Sequence, residues 1–470
     1  YEAMRRLHPE RIDCLVRLTH AESLCCMLDN ESARQAEIAS KSLEAEIRDD
    51  VAEAFPLSYM NLDKIVRSAL LKRYTNRVLA RAPRLNKNSA PIKSERRFIR
   101  IGYISPDFGD HAVGHLVQDI FASHDRDQFK IFGYSLKRHD GLIARKIERS
   151  FDIYSDCSAE PDAAVAEMIA KDQIDVLIDL AGYTQGSRPE ILAARPAHRQ
   201  LGWLGFIDSH EAPWLDGIIL DEFLSPQNTK WWCPDRVIKM KGICFPGGIF
   251  TEGTPDRRAF SLPNDSFIFA SFNNSYKISH DLISSWVEIL QEVEDSLLAI
   301  FLPNYARSSF ASAWKRLGGK PESIIILDKL DLASHANRAA SCDLFLDAFR
   351  YQAGATALAS IAAGLPILTV EGDRPLSRLS SSINRFLGIE DLLCRDRNDY
   401  ISKAIHLGRN RDHLFEIRRD MRNAVERTGL FDPLRITREI ESICRAVSSN
   451  EWSARPLAES NIGHCLDTSR

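Results

Sequence analysis

FIFASFNNSYKISHDLISSWVEILQEVEDSLLAIFL (267–302) contains two apolar runs separated by an amphipathic stretch. Phe267–Phe272 is short, aromatic and β-branched, which predicts a buried strand. Ser279 is a helix N-cap type with Asp281 two residues on, so a helix is expected over His280–Val293. Its apolar face is Ile283, Trp286, Leu290 and Val293, at three- and four-residue spacing. Ser296–Leu302 is again a buried-strand pattern. Strand, helix and strand in this span make a unit whose two strands lie parallel, because the helix must cross over one face of the sheet.

The same alternation continues outward. Downstream, the pattern predicts helices near Ser308–Leu317, Ser334–Ser341, Thr356–Ala363, Ser377–Phe386 and Asp399–Leu407, with strands Ile324–Leu327, Leu344–Phe349 and Leu365–Val370. Helices near His413–Val425 and Leu434–Val447 follow, then a polar tail. Upstream, beyond a Gly/Pro-rich break at Pro246–Pro255, a first series reads as strands Phe98–Ser105, Phe129–Leu136, Asp175–Leu180, Arg199–Phe206 and Gly217–Asp221, with helices Val113–His124 and Ala163–Lys171. Residues before about 90 carry only helical periodicity, at Glu22–Leu28, Ser32–Ile47 and Asp63–Thr75, and Ala82–Lys93 reads as a linker. The expectation is a helical segment (1–92), an α/β unit (93–250), a second α/β unit (251–430), and a C-terminal helix and tail (431–470) that folds back toward the first unit. Two doubly wound sheets place ligands outside the carboxyl ends of their strands, so the cleft between them is the expected site.

Composition narrows the classes. Among 470 residues, Lys+Arg is 61 and Asp+Glu 65, for a net charge of −4. Nothing in that balance marks a nucleic-acid partner, and an anionic ligand must be met by local positive groups. No apolar run is long enough to span a membrane. The 10 cysteines form no CxxC pair or zinc-spaced cluster, which fits reduced thiols in a cytoplasmic protein. The start, YEAMRR, has no signal-peptide pattern and no initiator Met, so a fragment or processed form is expected.

Loops after strand ends are where this architecture carries chemistry. SPDFGDHAVGH (105–115) holds His111 and His115 four apart at a helix start. With no nearby carboxylate or Cys read as completing a metal set, a catalytic or ligand-contacting role is expected for His111 and a capping or packing role for His115. NNSYK (273–277) puts Lys277 beside a helix N-terminus, where it is either solvated or set to bind phosphate. RYQAGAT (350–356) offers small residues and Thr356 at a helix start, which either simply cap or let backbone amides reach a phosphate. It is neither a Walker A loop nor a GxGxxG loop. Asp125-Arg126-Asp127 is a DxD at the wrong end of a strand and reads as a turn. Trp231-Trp232 reads as a packing or partner feature.

Several segments together resemble, in order, the catalytic region of O-GlcNAc transferases and SPINDLY-like proteins. They are IRIGYISPDFGDHAVGHL (100–116), DVLIDLAGYTQGSRPEILAARPA (175–197), LGWLGF (201–206), FNNSYKIS (272–279), DLFLDAFRYQAGATALASIAAGLPILT (343–369) and PLSRLSSS (375–382). The resemblance spans about residues 95–445 and implies a GT-B fold. It implies inverting, metal-independent transfer from a nucleotide sugar, UDP-GlcNAc first, to protein Ser or Thr. GDP-fucose transfer and a catalytically weak binding module are the alternatives. By the same resemblance His111 and Lys277 are the catalytic positions. Asn274, Tyr276, Leu204, Gly205 and His335 border the donor, and Gly354, Ala355 and Thr356 hold its phosphates. The N-terminal helices resemble the segment that joins tetratricopeptide repeats to such a region, and contact with repeats outside this chain is expected. No repeat with the period of about 34 residues is visible. Two departures stand out: Ala359 where the family has an acidic residue for the ribose, and Ile207-Asp208-Ser209-His210 in place of a Pro-Gly-Thr-like stretch.

Overall fold

The computed structural model describes residues 1–8, 11–43, 50–85, 97–225, 237–248 and 252–449. Among these residues, thirteen strands form two sheets, and every strand pair is parallel. The first sheet contains β1 (Ile99–Ser105), β2 (Phe129–Ser135), β3 (Ile153–Asp156), β4 (Val176–Asp179), β5 (Arg199–Gly202), β6 (Gly217–Asp221) and β7 (Val237–Met240), in the order 3-2-1-4-5-6-7. The second contains β8 (Phe267–Ser271), β9 (Ser296–Phe301), β10 (Ile324–Leu327), β11 (Leu344–Leu346), β12 (Ile367–Val370) and β13 (Leu393–Cys394), in the order 10-9-8-11-12-13. Strand order reverses between β1 and β4, and again between β8 and β11. Those are the two crevices where doubly wound sheets take their ligands.

Burial follows the pleat. Ile101 and Tyr103 of β1 face the apolar core that continues into the second unit. Ile104, on the other face, joins a second core with Ile12, Leu15, Val16, Leu57, Val66, Leu70 and Val78 of the N-terminal helices. The helical segment is thus packed against the first sheet rather than hung from it. No helix among the described residues is long and apolar enough to cross a membrane.

The structure corrects the sequence reading in places. The expected helix at Glu22–Leu28 is the end of a longer one, Ile12–Leu24. The chain then turns, with Cys26 at φ +53°, so that Cys26 and Leu28 enter the core. The helix expected at Val113–His124 runs only over Ala112–Val117, with a 3-10 turn at Phe121–Ser123. The helical ladder ends where Gln118 N–H meets the Gly114 carbonyl at 3.1 Å, and Ile120 N–H then closes a tighter turn on the Val117 carbonyl at 2.9 Å, while Leu116, Val117, Ile120 and Phe121 all stay buried. Leu142–Arg149, β3, Pro189–Ala193 and β7 are elements that the pattern did not announce. The ends of the expected Ser32–Ile47 helix and Ala82–Lys93 linker, part of Pro246–Pro255, Trp231-Trp232, Cys233, Cys465 and the polar tail lie outside the described residues. The DxD forms a turn: the Asp125 carbonyl accepts from Phe129 N–H at 2.9 Å.

The chain crosses between the sheets twice. After β7 it passes to β8, and after the helix Arg411–Thr428 it returns through Gly429–Asp432 to the last helix, Pro433–Ser448. The two crossings touch: a Cβ on Gly247 would lie 2.5 Å from the Leu430 carbonyl oxygen and 2.6 Å from Phe431 Cα, so only glycine fits there. The last helix packs on the first unit against β1, β4 and β7. It is fastened by a buried polar chain: Tyr103 Oη to His124 Nε2 at 2.9 Å, and His124 Nδ1 to Glu441 Oε1 at 3.1 Å. The Asp125 amide and Arg438 Nη1 also donate to Glu441, at 2.8 Å.

Burial opposes ionisation of Glu441, but its donors outweigh that and hold its pKa down at about 2. Burial also pushes His124 below the usual histidine range, against the pull of Glu441. Glu441→Gln should therefore cost about 2 kcal/mol at neutral pH, the worth of a hydrogen-bonded charge, as read by urea unfolding. A carboxylate with a depressed folded pKa stabilises above its ordinary value and loses that contribution on acidification. The gap between variant and parent should therefore persist above the ordinary 4.5 and close as pH falls toward about 2.

Candidate functional site

The loops at the two strand-order reversals face each other. Ala112–Val117, which begins the first unit's loop–helix turn, packs against Ala355–Ala362 of the second. His111 and Gly354 are the N-caps of these two helices, so the cleft is flanked by two helix starts.

His111 does its own capping: its Nδ1 accepts from Val113 N–H at 3.3 Å, with Asp107 Oδ1 at 3.5 Å. Half of the His111 side chain stays exposed (49%). Burial lowers its pKa against the attraction of Asp107, while burial raises that of Asp107. His115 pairs instead with Asp110, Nε2 to Oδ1 at 2.7 Å. The sequence reading is corrected twice here. The cap is His111 rather than His115, and carboxylates do lie near both histidines. They serve two separate pairs, and no group of three or more potential metal-ligating His, Cys, Asp or Glu is found among the described residues. The turn is tight because Gly114 lies under Gly109, where a Cβ would come within 2.1 Å of the Gly109 carbonyl oxygen.

Across the cleft, Lys277 closes the 3-10 turn Ser275–Lys277, just before Ser279 caps His280–Glu292 through Leu282 N–H. Its Nζ donates to the Gln352 carbonyl at 2.8 Å and sits 3.9 Å from the centre of the Tyr351 ring. Burial lowers its pKa to about 8, against the pull of Asp347. The Ala355–Ala362 helix starts at Gly354 (φ −103°, ψ −93°) with no side-chain cap. Its first amides are therefore placed for an anion beside the Lys277 ammonium. Thr356 is in the first turn, and Ala359 is buried one turn further on.

Beneath both loops lies Asp347, fully buried at the end of β11 and missed in the sequence reading. Its carboxylate accepts from the Ala348 amide at 2.8 Å, the Ala353 amide at 3.0 Å and Asn273 Nδ2 at 2.8 Å, and from the Ser380 hydroxyl. Burial raises its pKa while these donors and Lys277 oppose the shift. The only signal for it in the sequence was an acidic residue inside LFLDAF (344–349), where a buried strand end should be apolar.

The remaining positions fall around this centre. Asn273, buried, is the amide wired to Asp347, whereas Asn274 is exposed. The Tyr276 ring turns away into a cluster with Tyr59 (5.0 Å), Phe55 (5.8 Å) and Tyr351 (5.9 Å). His335 stacks edge-on against Phe272 at 4.8 Å and meets Arg338 through Nδ1 at 3.0 Å. Burial and then Arg338 bring its pKa down to about 4, so its ring is neutral. The Leu204 side chain is buried in the core at φ +59°, leaving backbone as that loop's contribution to the cleft. Gly205 cannot be larger, since a Cβ there would meet the Leu180 carbonyl oxygen at 2.1 Å.

A lysine with a pKa of about 8 is charged at pH 7 and mostly neutral at pH 9. A nucleoside diphosphate meeting Lys277 should thus bind progressively more weakly as pH rises through about 8, by up to about tenfold per unit. Calorimetry with UDP at pH 7 and pH 9 checks this, and Lys277→Met should flatten the dependence.

Comparison with known proteins adds the lineage. The family model described as "Glycosyl transferase family 41" matches residues 36–248 and 252–440. An Arabidopsis thaliana protein named "Probable UDP-N-acetylglucosamine--peptide N-acetylglucosaminyltransferase SEC" is 27% identical over 446 residues, covering 90% of this chain and 46% of that protein. A Caenorhabditis elegans UDP-N-acetylglucosamine–peptide N-acetylglucosaminyltransferase is 24% identical over 497 residues, covering 81% and 43%. This chain therefore spans less than half the length of either relative. A solved mutant O-GlcNAc transferase from Thermobaculum terrenum superposes with a TM-score of 0.80 at 22% identity, over 94% of this chain and 85% of that one. That likeness carries the fold, two parallel-sheet units of the GT-B type. With the family model covering both sheets and the loops that face across the cleft, the chain belongs to glycosyl transferase family 41.

Proposed function

We propose that the chain is an inverting, metal-independent glycosyltransferase that moves N-acetylglucosamine from UDP-GlcNAc to Ser or Thr hydroxyls of proteins. The observation that carries this reading is the Lys277 ammonium held beside the uncapped start of Ala355–Ala362. The hydroxyl oxygen attacks the anomeric carbon on the face opposite the diphosphate. The new C–O bond forms as the bond to the phosphate oxygen breaks, UDP leaves with the electron pair, and the hydroxyl proton passes to solvent water. Charge growing on the leaving diphosphate is met by Lys277 and by the amides at Gly354–Thr356. His335, neutral beside the end of β8, offers a flat face near the nucleoside. The names of the family relatives support UDP-GlcNAc as donor and peptide as acceptor.

His111 fits a donor's part better than a base's. When Nδ1 accepts the Val113 amide, the neutral ring carries its proton on Nε2. That edge then gives a hydrogen bond to the sugar or to the acceptor oxygen instead of taking a proton.

Lys277→Ala should lower turnover by about 2–4 kcal/mol in transition-state terms, measured as UDP release with a protein acceptor. Near-normal turnover by the folded variant would remove Lys277 from the mechanism. Calorimetry with UDP and GDP sets the base, and a preference for GDP overturns the UDP-GlcNAc reading.

Ala359 stands where the family carries a ribose-binding acid, and it is buried. A carboxylate at that place is sheltered from water and gains only if a ribose hydroxyl meets it. Ala359→Asp should then tighten UDP binding by about tenfold to a hundredfold, the worth of one hydrogen bond to a charged group. A melting curve without nucleotide serves as the control. No gain, together with no binding of UDP or GDP at millimolar concentration, would favour a binding module over an enzyme.

A further inference from the structure

The stretch Ile207–His210 reaches out of the first unit and grips the second. Asp208 is almost completely buried, and its Oδ2 lies 2.5 Å from Arg374 Nη2, on the loop after β12. Arg374 also donates to the Ser58 carbonyl, so the helical segment, the first unit and the second unit meet at one guanidinium. The Asp208 end is stiffened by His210, fully buried with Nδ1 3.0 Å from the Asp208 carbonyl oxygen and its ring against Gly182. Nearby, Glu211 accepts from Ser68 Oγ of the helical segment at 2.9 Å.

The Arg374 end leads toward the site. Arg374 N–H donates to Ser377 Oγ at 3.1 Å, which starts the 3-10 turn Pro375–Arg378. The Leu376 carbonyl in that turn accepts from Gln352 N–H at 2.8 Å. The Gln352 carbonyl is the one that Lys277 Nζ grips. An unbroken run of contacts therefore joins Asp208 of the first unit to the ammonium on the far side of the cleft. Arg378 Nε to the Phe223 carbonyl (2.7 Å) and Ser382 Oγ to Asp221 (3.1 Å) tie the same turn and the helix after it to the first unit a second time.

We propose that Asp208 and Arg374 are positioning residues. Their ion pair is a latch that fixes the His111 side of the cleft in register with the Lys277 side, so that acceptor and donor are brought to reacting distance. The proposal rests on the transferase reading above. The diphosphate contacts all belong to the second unit and are held there by Asp347 and Asn273. The latch therefore governs the step that needs both halves, not the binding of nucleotide.

Asp208→Asn and Arg374→Gln, singly and together, test this. Each single variant should lose about tenfold or more in turnover at saturating donor, because reacting groups displaced by an ångström react far more slowly. The dissociation constant for UDP should stay within about threefold, and the double variant should be no worse than the weaker single one, as expected for two residues acting as a unit. Hydrogen exchange should quicken in segments 204–210 and 371–376, while the helix at 411–428 keeps its protection. Normal turnover and exchange in the variants overturn the latch. So does a loss of UDP affinity that accounts for the lost turnover, or quickened exchange everywhere, which would mark plain destabilisation. If the parent protein transfers no sugar but the exchange changes stay local, the transferase reading fails while the latch stands.

Discussion

One buried carboxylate organises the second unit's half of the cleft. Asp347 lies at the carboxyl end of β11, out of reach of water, and four donors converge on it. Two of them are backbone amides of the loop that leads to Gly354, one is Asn273 in the neighbouring loop, and one is Ser380 on the helix behind. Loops as irregular as these would otherwise hold many conformations. Here each is pinned to the same two oxygens, and the Lys277 ammonium adds its attraction from above. That centre adds to the direct bond from Lys277 to the Gln352 carbonyl in fixing the lysine beside the uncapped helix start.

The helical segment contributes to the same end from outside. Ser275 Oγ donates to the Leu24 carbonyl at 2.7 Å, and Tyr276 packs against Tyr59 and Phe55. Arg350 pairs with Glu31. The loops carrying Lys277 and Tyr351 are thus clamped between the second sheet beneath and the N-terminal helices above. The turn at Cys25–Leu28, which replaces the expected continuation of a helix, is what lets the segment reach them.

Much of the fold was legible because buried parallel strands are short apolar runs between amphipathic stretches, and these runs set the order of elements almost alone. The second unit reads most plainly, since His280–Glu292 and its flanking strands each match a simple period. Reading failed where one apolar face continues through a change from helix to tighter turn, as at Leu116–Phe121, or where an edge strand such as β3 is only partly apolar. Lys277, His111 and Gly354–Thr356 stood out as candidates because they follow strand ends and match the family's motifs, and the structure gathers them around one cleft. Asp347, Asn273 and the Asp208–Arg374 pair did not stand out, because their meaning lies in partners 74 and 166 residues away in sequence. Periodicity reports which face of an element is buried. It carries no information on which buried polar groups will find one another.

The close approach of Gly247 to Leu430 and Phe431 also limits what the sequence can carry there. Any side chain at 247 would have to push the two backbones apart, because it would meet a carbonyl oxygen and a Cα rather than the yielding end of a side chain. Leu430 is itself fully buried in the core that runs through both units, so the displacement could not be absorbed at the surface. A single missing methyl thus keeps two distant stretches of chain in one seam.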